Sequence, residues 1–331
     1  MAPRRRVFAE LVPLVDLARG PALELLARFR VAPIVAVRPD DARDVVAAVV
    51  ARARAADLPV ALWPMIDDVD GRWCNAASAP PFVAFVDGLA SDLAVRGALP
   101  DEVLFDLEPA FAAVKGAFSG GARGALSALA SPAPIEPAAR EIAAAASRLE
   151  ALGVAVVAAV APPVLLDGHA GRACERLLGT PVSDPAPHWA RVSAMLYSSI
   201  LEGWSRGFVD RAAARALVGW GCAATRARFG AERAGACLGA VGVGALGDEP
   251  VYRSPDELAD DVAIARACGV DDLALFELAG VLAKARTEGP AAPERWLAAF
   301  VETPAGAAPP PLPRAARAAL AGLTIALSAA K

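Results

Sequence analysis

Short apolar runs alternate along the chain with longer stretches in which Ala, Arg and Glu recur at helical spacing. Eight of the short runs have strand length and β-branched or aromatic enrichment: residues 11–17, 32–37, 60–66, 102–107, 154–160, 192–198, 236–243 and 272–278. Helical patterns follow most of them, over 41–56, 81–96, 137–152, 210–229, 255–268 and 293–300. Several of these patterns open on Asp or Pro, as helix N-termini favour, and Gly153, Gly230 and Gly269 stand just past helical ends as C-caps. Alternating strand and helix signals predict repeated βα units and a parallel sheet.

Eight such units predict a (β/α)₈ barrel. The 331 residues leave room for a barrel of about 250 residues with extensions. The competing arrangement is an open doubly wound sheet, but no glycine-rich phosphate-binding turn follows the first strand to support its nucleotide-binding form. Glycines between Gly239 and Gly247 read as close packing or a tight loop on the seventh strand. Two long insertions, 115–135 and 162–191, follow the fourth and fifth strands, on the side where barrel enzymes shape their substrate sites. The barrel is expected to span 1–303. A Pro/Ala linker over 304–313 then leads into an Ala-rich helix that completes 304–331.

Composition narrows the function. Hydrophobic residues make up 56% of the chain, much of it alanine, while aromatics supply only 6%. A net charge of -4 argues against nucleic acid as a partner, because phosphate binding needs a concentrated basic face. Arg4, Arg5 and Arg6 read as a solvated tail. The five cysteines are scattered without a CxxC pair, which points to free thiols in a reducing, cytoplasmic setting. His169 and His188 are the only histidines, so a histidine-rich metal site is excluded and a Ser-His-Asp triad is disfavoured. Glu10, Pro13 and Asp16 break the first apolar run, so no signal peptide is read. No stretch supplies the ~20 apolar residues of a membrane helix.

The segment Glu102-Val-Leu-Phe-Asp-Leu-Glu-Pro109 carries the strongest chemical signal. Side chains alternate along a strand, so Asp106 and Glu108 share a side and end at the mouth of the barrel. Two acids there suit proton transfer to and from a substrate. Other strand ends add Trp63 and Asp67, then Trp73 and Asn75, from the third; Met195, Tyr197 and Glu202 from the sixth; and Glu277 from the eighth. Alternation predicts that Trp63, Asp106, Glu108, Tyr197 and Glu277 converge. Tryptophans beside carboxylates suit a carbohydrate, whose apolar faces stack on indole while its hydroxyls bind the acids. The same residues also have structural readings. The acids of strand four could pair with arginines, Glu277 could cap a helix, and the tryptophans could be packing. Asp106, Glu108 and Glu277 could together hold Mg²⁺, but they lack a distinctive metal spacing. No metal or cofactor is expected.

Phe105-Asp-Leu-Glu108 together with Met195-Leu-Tyr197 resembles the chitinase-like glycoside hydrolases of family 18. Those barrels carry D-x-x-D-x-D-x-E on strand four and M-x-Y-D on strand six. Asp101, Asp106 and Glu108 match three of the four acids, with Leu104 in place of the other. Met195 and Tyr197 match, with Ser198 in place of the final Asp. The resemblance implies a glycoside hydrolase in which Glu108 is the general acid. Asp106 and Tyr197 would support an acetamido group of an N-acetylated sugar. Glu277 could instead oppose Glu108 in a two-carboxylate mechanism. The departures at Leu104 and Ser198 favour the alternative, an inactive hydrolase-like barrel that binds a glycan or a partner protein.

Overall fold

A computed structural model describes residues 4–119, 133–167, 172–183, 187–205, 207, 209–244, 247–309 and 311–312. Eight parallel strands close into a barrel in sequence order: β1 (Arg4–Ala9), β2 (Ala32–Val37), β3 (Ala61–Pro64), β4 (Glu102–Leu107), β5 (Ala155–Val160), β6 (Arg191–Met195), β7 (Ala234–Gly239) and β8 (Asp272–Phe276). β1 pairs with β8, so no edge strand remains. Helices such as Arg43–Ala55, Ala79–Val95, Ile135–Ala151 and Arg211–Phe229 surround it. The core has two parts, matching the two faces of each strand. Val7, Phe105, Val156 and Leu275 face the helices. Phe8, Ile34, Leu104, Val157 and Ala274 fill the barrel interior.

The first strand lies upstream of its expected place. Residues 11–17 are not a strand; helix Leu14–Arg19 occupies most of them, with Pro13 at its N-cap. Of that apolar run Leu17 is buried, whereas Leu11 and Val15 are largely exposed, so the apolar content never formed a two-sided strand. The true β1 was obscured by its arginines. Arg4–Arg6 are not a solvated tail, since Arg5 and Arg6 are buried. Arg6 enters the bottom of the barrel and pairs with Asp272, and with Glu102 at 3.6 Å. Arg191 pairs with Glu102, and with Asp272 at 2.8 Å. Two arginines and two carboxylates thus close the N-terminal end, where each buried charge has an opposite partner.

β7 ends at Gly239 rather than continuing to 243, and β3 is likewise shorter than 60–66. Helix Phe111–Ser119 opens the first long insertion, and a 3₁₀ segment Pro162–Asp167 with helix Ala173–Leu178 orders much of the second. The chain after the barrel runs back over it, with Gly306 N–H donating to Ala263 O at 3.0 Å. The expected C-terminal helix lies outside the described residues. None of the described helices is long and apolar enough to cross a membrane.

Candidate active site

The strand register sets the site. Asp106 lies opposite Ala159 of β5, a small residue that leaves the space above the interior core open. A cavity of about 400 Å³ fills that space at the C-terminal mouth. Asp106, Glu108, Tyr197, Trp63, Trp73 and Met195 all line it, as the strand ends implied. Val114 of helix Phe111–Ser119, with Pro162, Pro163 and Leu178 from the second insertion, forms one wall. The described parts of the insertions therefore border the cavity.

Four expected site residues lie elsewhere. Glu277 is 1% exposed and caps helix Leu278–Thr287, accepting from Gly280 N at 3.0 Å. It does not join the wall, because the chain turns into that helix directly after Phe276. Asp67 is exposed in a turn, where its carbonyl accepts from Asp70 N and Arg72 N. Asn75 is buried in a turn, its Oδ1 accepting from Ala77 N at 3.0 Å and Ser78 N at 3.1 Å. Glu202 pairs with Arg253 at 3.2 Å on the outside of its helix. His188 is exposed, and His169 lies outside the described residues.

Two acids escaped the sequence pattern. Glu10 follows β1 and Glu249 follows β7, and both line the cavity. Glu10 was hidden by the misplaced first strand. Glu249 lies ten residues past the end of β7, beyond the reach of strand alternation. The Glu10 side chain is 2% exposed and receives Arg72 Nη1 at 3.2 Å. Arg72 also donates to both oxygens of Asp68, at 2.7 and 2.9 Å, and lies 4.1 Å from the Phe111 ring centre. This bidentate pair fixes the turn that carries Trp73.

Burial sets the electrostatics. Burial and the neighbouring Glu10 push the Glu108 carboxyl up to about 8, against a weaker opposing pull from Arg72 and Asp106. Asp106 is raised well above the usual carboxylate range by burial, then by Glu108 and Glu10. Trp63 faces Asp106 and draws it slightly down, though its indole N–H stays outside ordinary hydrogen-bond geometry. Burial raises Glu10 as well, opposed by Arg72 and Arg38. Near neutral pH, Glu108 therefore keeps its proton, as a general acid must.

The aromatic frame is interlocked. Phe8 meets Trp63 edge-on at 5.0 Å and Phe276 at 5.9 Å. Tyr197 lies 5.5 Å from Phe276 and crosses Gly239, where a Cβ would come within 3.0 Å of its ring. The helix Ser198–Trp204 that follows Tyr197 is pinned from behind. Ser199 Oγ receives Ala240 N at 2.7 Å and donates to Pro250 O at 2.7 Å. Ser198 turns away from the cavity to donate to Asp261, which also receives Tyr252 OH at 2.7 Å. Leu104 belongs to the apolar layer beneath Asp106, and Asp101 accepts from Val60 N below the strand. Leu104 therefore separates the Asp106–Glu108 pair from Glu102 in the charged cluster at the bottom of the barrel. Among the described residues, no group of three or more His, Cys, Asp or Glu side chains is arranged to hold a metal ion.

No protein-family model matches the chain, and no curated protein matches its sequence. Solved structures do resemble it. The Group IV chitinase of Ostrinia furnacalis in complex with allosamidin is 8% identical, with a TM-score of 0.52 over 90% of this chain and 97% of that one. ZgEngAGH5_4 in complex with a cellotriose is 12% identical, with a TM-score of 0.50 over 90% and 96%. An L-ribulose 3-epimerase is 19% identical, with a TM-score of 0.47 over 84% and 81%. At these identities the likeness is one of fold. The protein is a divergent (β/α)₈ barrel, and membership of family 18 does not follow.

Proposed function

We propose that this barrel cleaves a glycosidic bond in its C-terminal cavity, with Glu108 as the general acid. The observation that carries the reading is a proton-retaining carboxyl on the wall of an aromatic-lined cavity, backed by a second carboxyl on the same strand. In this mechanism Glu108 gives its proton to the glycosidic oxygen as the bond to the anomeric carbon breaks. Positive charge developing on the sugar ring faces the carboxyls of Glu10 and Glu249. A water then adds to the anomeric carbon and returns a proton to Glu108. Asp106 steadies the Glu108 anion while the proton is away. Trp63, Trp73 and Tyr197 offer ring faces and edges to the sugar.

An acetamido-assisted route keeps Asp106 and Tyr197 beside the substrate, as the resemblance implies. The second reading, an inactive barrel that binds a glycan or partner protein, draws on Leu104 and Ser198. Against it, none of the ion pairs among the described residues locks Glu108 to an arginine. Chromogenic glycosides with and without an N-acetyl group decide the matter. The proposal expects turnover that falls by ~10²–10⁴-fold in Glu108→Gln. Turnover unchanged in that variant sinks the role of Glu108, and no turnover of any glycoside by the native chain favours the binder.

A further inference from the structure

The cavity wall is chemically one-sided. It carries four carboxyl groups, on Glu10, Asp106, Glu108 and Glu249. Among its described lining residues there is no Lys, Arg or His, and no Asn, Gln, Ser or Thr. Neutral sugars are held by a spread of hydrogen-bond donors and acceptors, and this wall has few donors. Aromatic faces and carboxylates suit a different ligand chemistry, that of an organic cation.

Arg72 offsets only part of the cluster's charge. Its side chain is 8% exposed and is shared between Glu10 and Asp68. Within the wall, Asp106 is 2% exposed, yet its Oδ1 has no hydrogen-bond partner among the described residues. This acceptor oxygen is unsatisfied, as at a site that a ligand with donors or positive charge completes.

We infer that the cavity takes a ligand bearing an organic ammonium group, seated against the Trp63 and Trp73 rings with the Glu10 and Glu108 carboxylates as its counter-charges. This names the ligand class of the site proposed above and rests on that reading for the site's location. Because the cation takes the place of the proton that Glu108 needs as general acid, such a ligand competes with a cleavable glycoside rather than serving as one.

Protons serve as the counter-charge when the ligand is absent. Glu108 is faced by Asp106 on its own strand, Glu10 after β1, Arg72 after β3, Tyr197 after β6 and Glu249 after β7. Arg38 after β2 acts through Glu10, and Glu277 after β8 is itself raised by Glu10, while β5 and the described residues that follow it along the cavity, Ala159, Ala161, Pro162 and Pro163, carry no charge. Glu108 stays protonated up to about 8. A cation replaces that proton, so binding should release protons and tighten as pH rises toward this value, then level off.

Choline and its uncharged isostere 3,3-dimethylbutan-1-ol test the inference on the full chain, by calorimetry and tryptophan fluorescence. The quaternary ammonium does not titrate, so any pH dependence belongs to the protein. Choline is expected to bind at least about tenfold tighter than the isostere at about pH 9, with the advantage shrinking toward about pH 6. Titrations in two buffers of different ionisation heat should show proton release. The double variant Glu10→Gln/Glu108→Gln should keep isostere binding and lose the preference. Equal or weaker choline binding overturns the inference, as does binding of neither probe or a preference that survives the double variant. If that variant does not fold, the pH series on the native chain still decides. Hydrolysis of neutral glycosides without a choline preference removes this inference alone, and a choline preference without any hydrolysis removes the glycosidase reading alone.

Discussion

Arg72 donates to Glu10 across 3.2 Å, joining the turn after β3 to the end of β1 at the rim of the cavity. The same guanidinium holds Glu108 below the value that burial alone would give it. Arg72→Gln removes a positive charge from both acids, so both should protonate more readily. A general acid works below its pKa and an ionised carboxylate above its own. Both limbs of the pH profile of kcat/KM should therefore move up by about one unit. A profile that stays in place would show that Arg72 serves the Trp73 turn and not the acids.

Glu108 and Asp106 also tie the fold's stability to pH. Their folded values lie above the ordinary carboxylate value, and burial is the leading cause. A group raised in the folded state contributes stability below its unfolded pKa and loses it as pH climbs through the folded one. For Glu108 that window runs from the ordinary carboxyl value of 4.5 to about 8. The melting temperature should fall by a few °C or more across this window, at about 2–4 °C per kcal/mol for domains near this size. Glu108→Gln keeps the shape and removes one titration, so its melting curve should be flatter with pH than that of the native chain. Parallel curves for the two proteins would contradict the assignment.

Much of the barrel was legible because buried parallel strands are apolar on both faces, as Ala155–Val160 is. β1 was not legible, because Arg5 and Arg6 look like surface residues until distant partners reach them: the carbonyls of Asp271 and Phe300 for Arg5, and the carboxylates of Glu102 and Asp272 for Arg6. Asp106, Glu108, Trp63 and Tyr197 followed from alternation within single strands. Glu277 did not, since the backbone turns into a helix there and its carboxylate caps Gly280. Glu10 and Glu249 sit in connections whose course depends on tertiary contacts, such as Arg72 reaching Glu10. Ser198 has no local sequence cue for its link to Asp261, 63 residues away.

The charged plug beneath the interior core separates stability from chemistry. Arg6 is 4% exposed and faces Asp272, Glu102 and Ser193, at the end of the barrel opposite the cavity. Arg6→Leu leaves two carboxylates with only Arg191, and with Arg4 at 3.8 Å from Glu102. Removing one partner of such a buried pair costs about 3–5 kcal/mol. Chemical denaturation should show a loss of this size, with kcat per folded molecule unchanged. A loss below about 1 kcal/mol would place the pair among weak surface bridges.

Asp261 is fully buried and carries a different prediction, because it acts on the cavity through Ser198 and Tyr252. Arg211 completes the group, donating to Ser198 Oγ at 2.7 Å and to Asp261 at 3.3 Å. The group anchors the start of helix Ser198–Trp204, and the residues next to that anchor, Tyr197, Ile200, Leu201 and Trp204, line the cavity. Asp261→Ala strands the Arg211 charge and frees both hydroxyls, so the helix should shift and carry Tyr197 and Trp204 with it. A displacement near 1 Å can lower turnover by about 10²-fold. The expected pattern is a fall in kcat for cleaved glycosides, accompanied by a changed Trp204 fluorescence signal. Trp204→Phe in the same background would confirm which indole reports it. Asp261→Asn keeps an acceptor oxygen for Ser198 and Tyr252 and should recover part of the rate. An Asp261→Ala protein that folds and turns over at the native rate would show that the cavity wall holds its shape without this anchor.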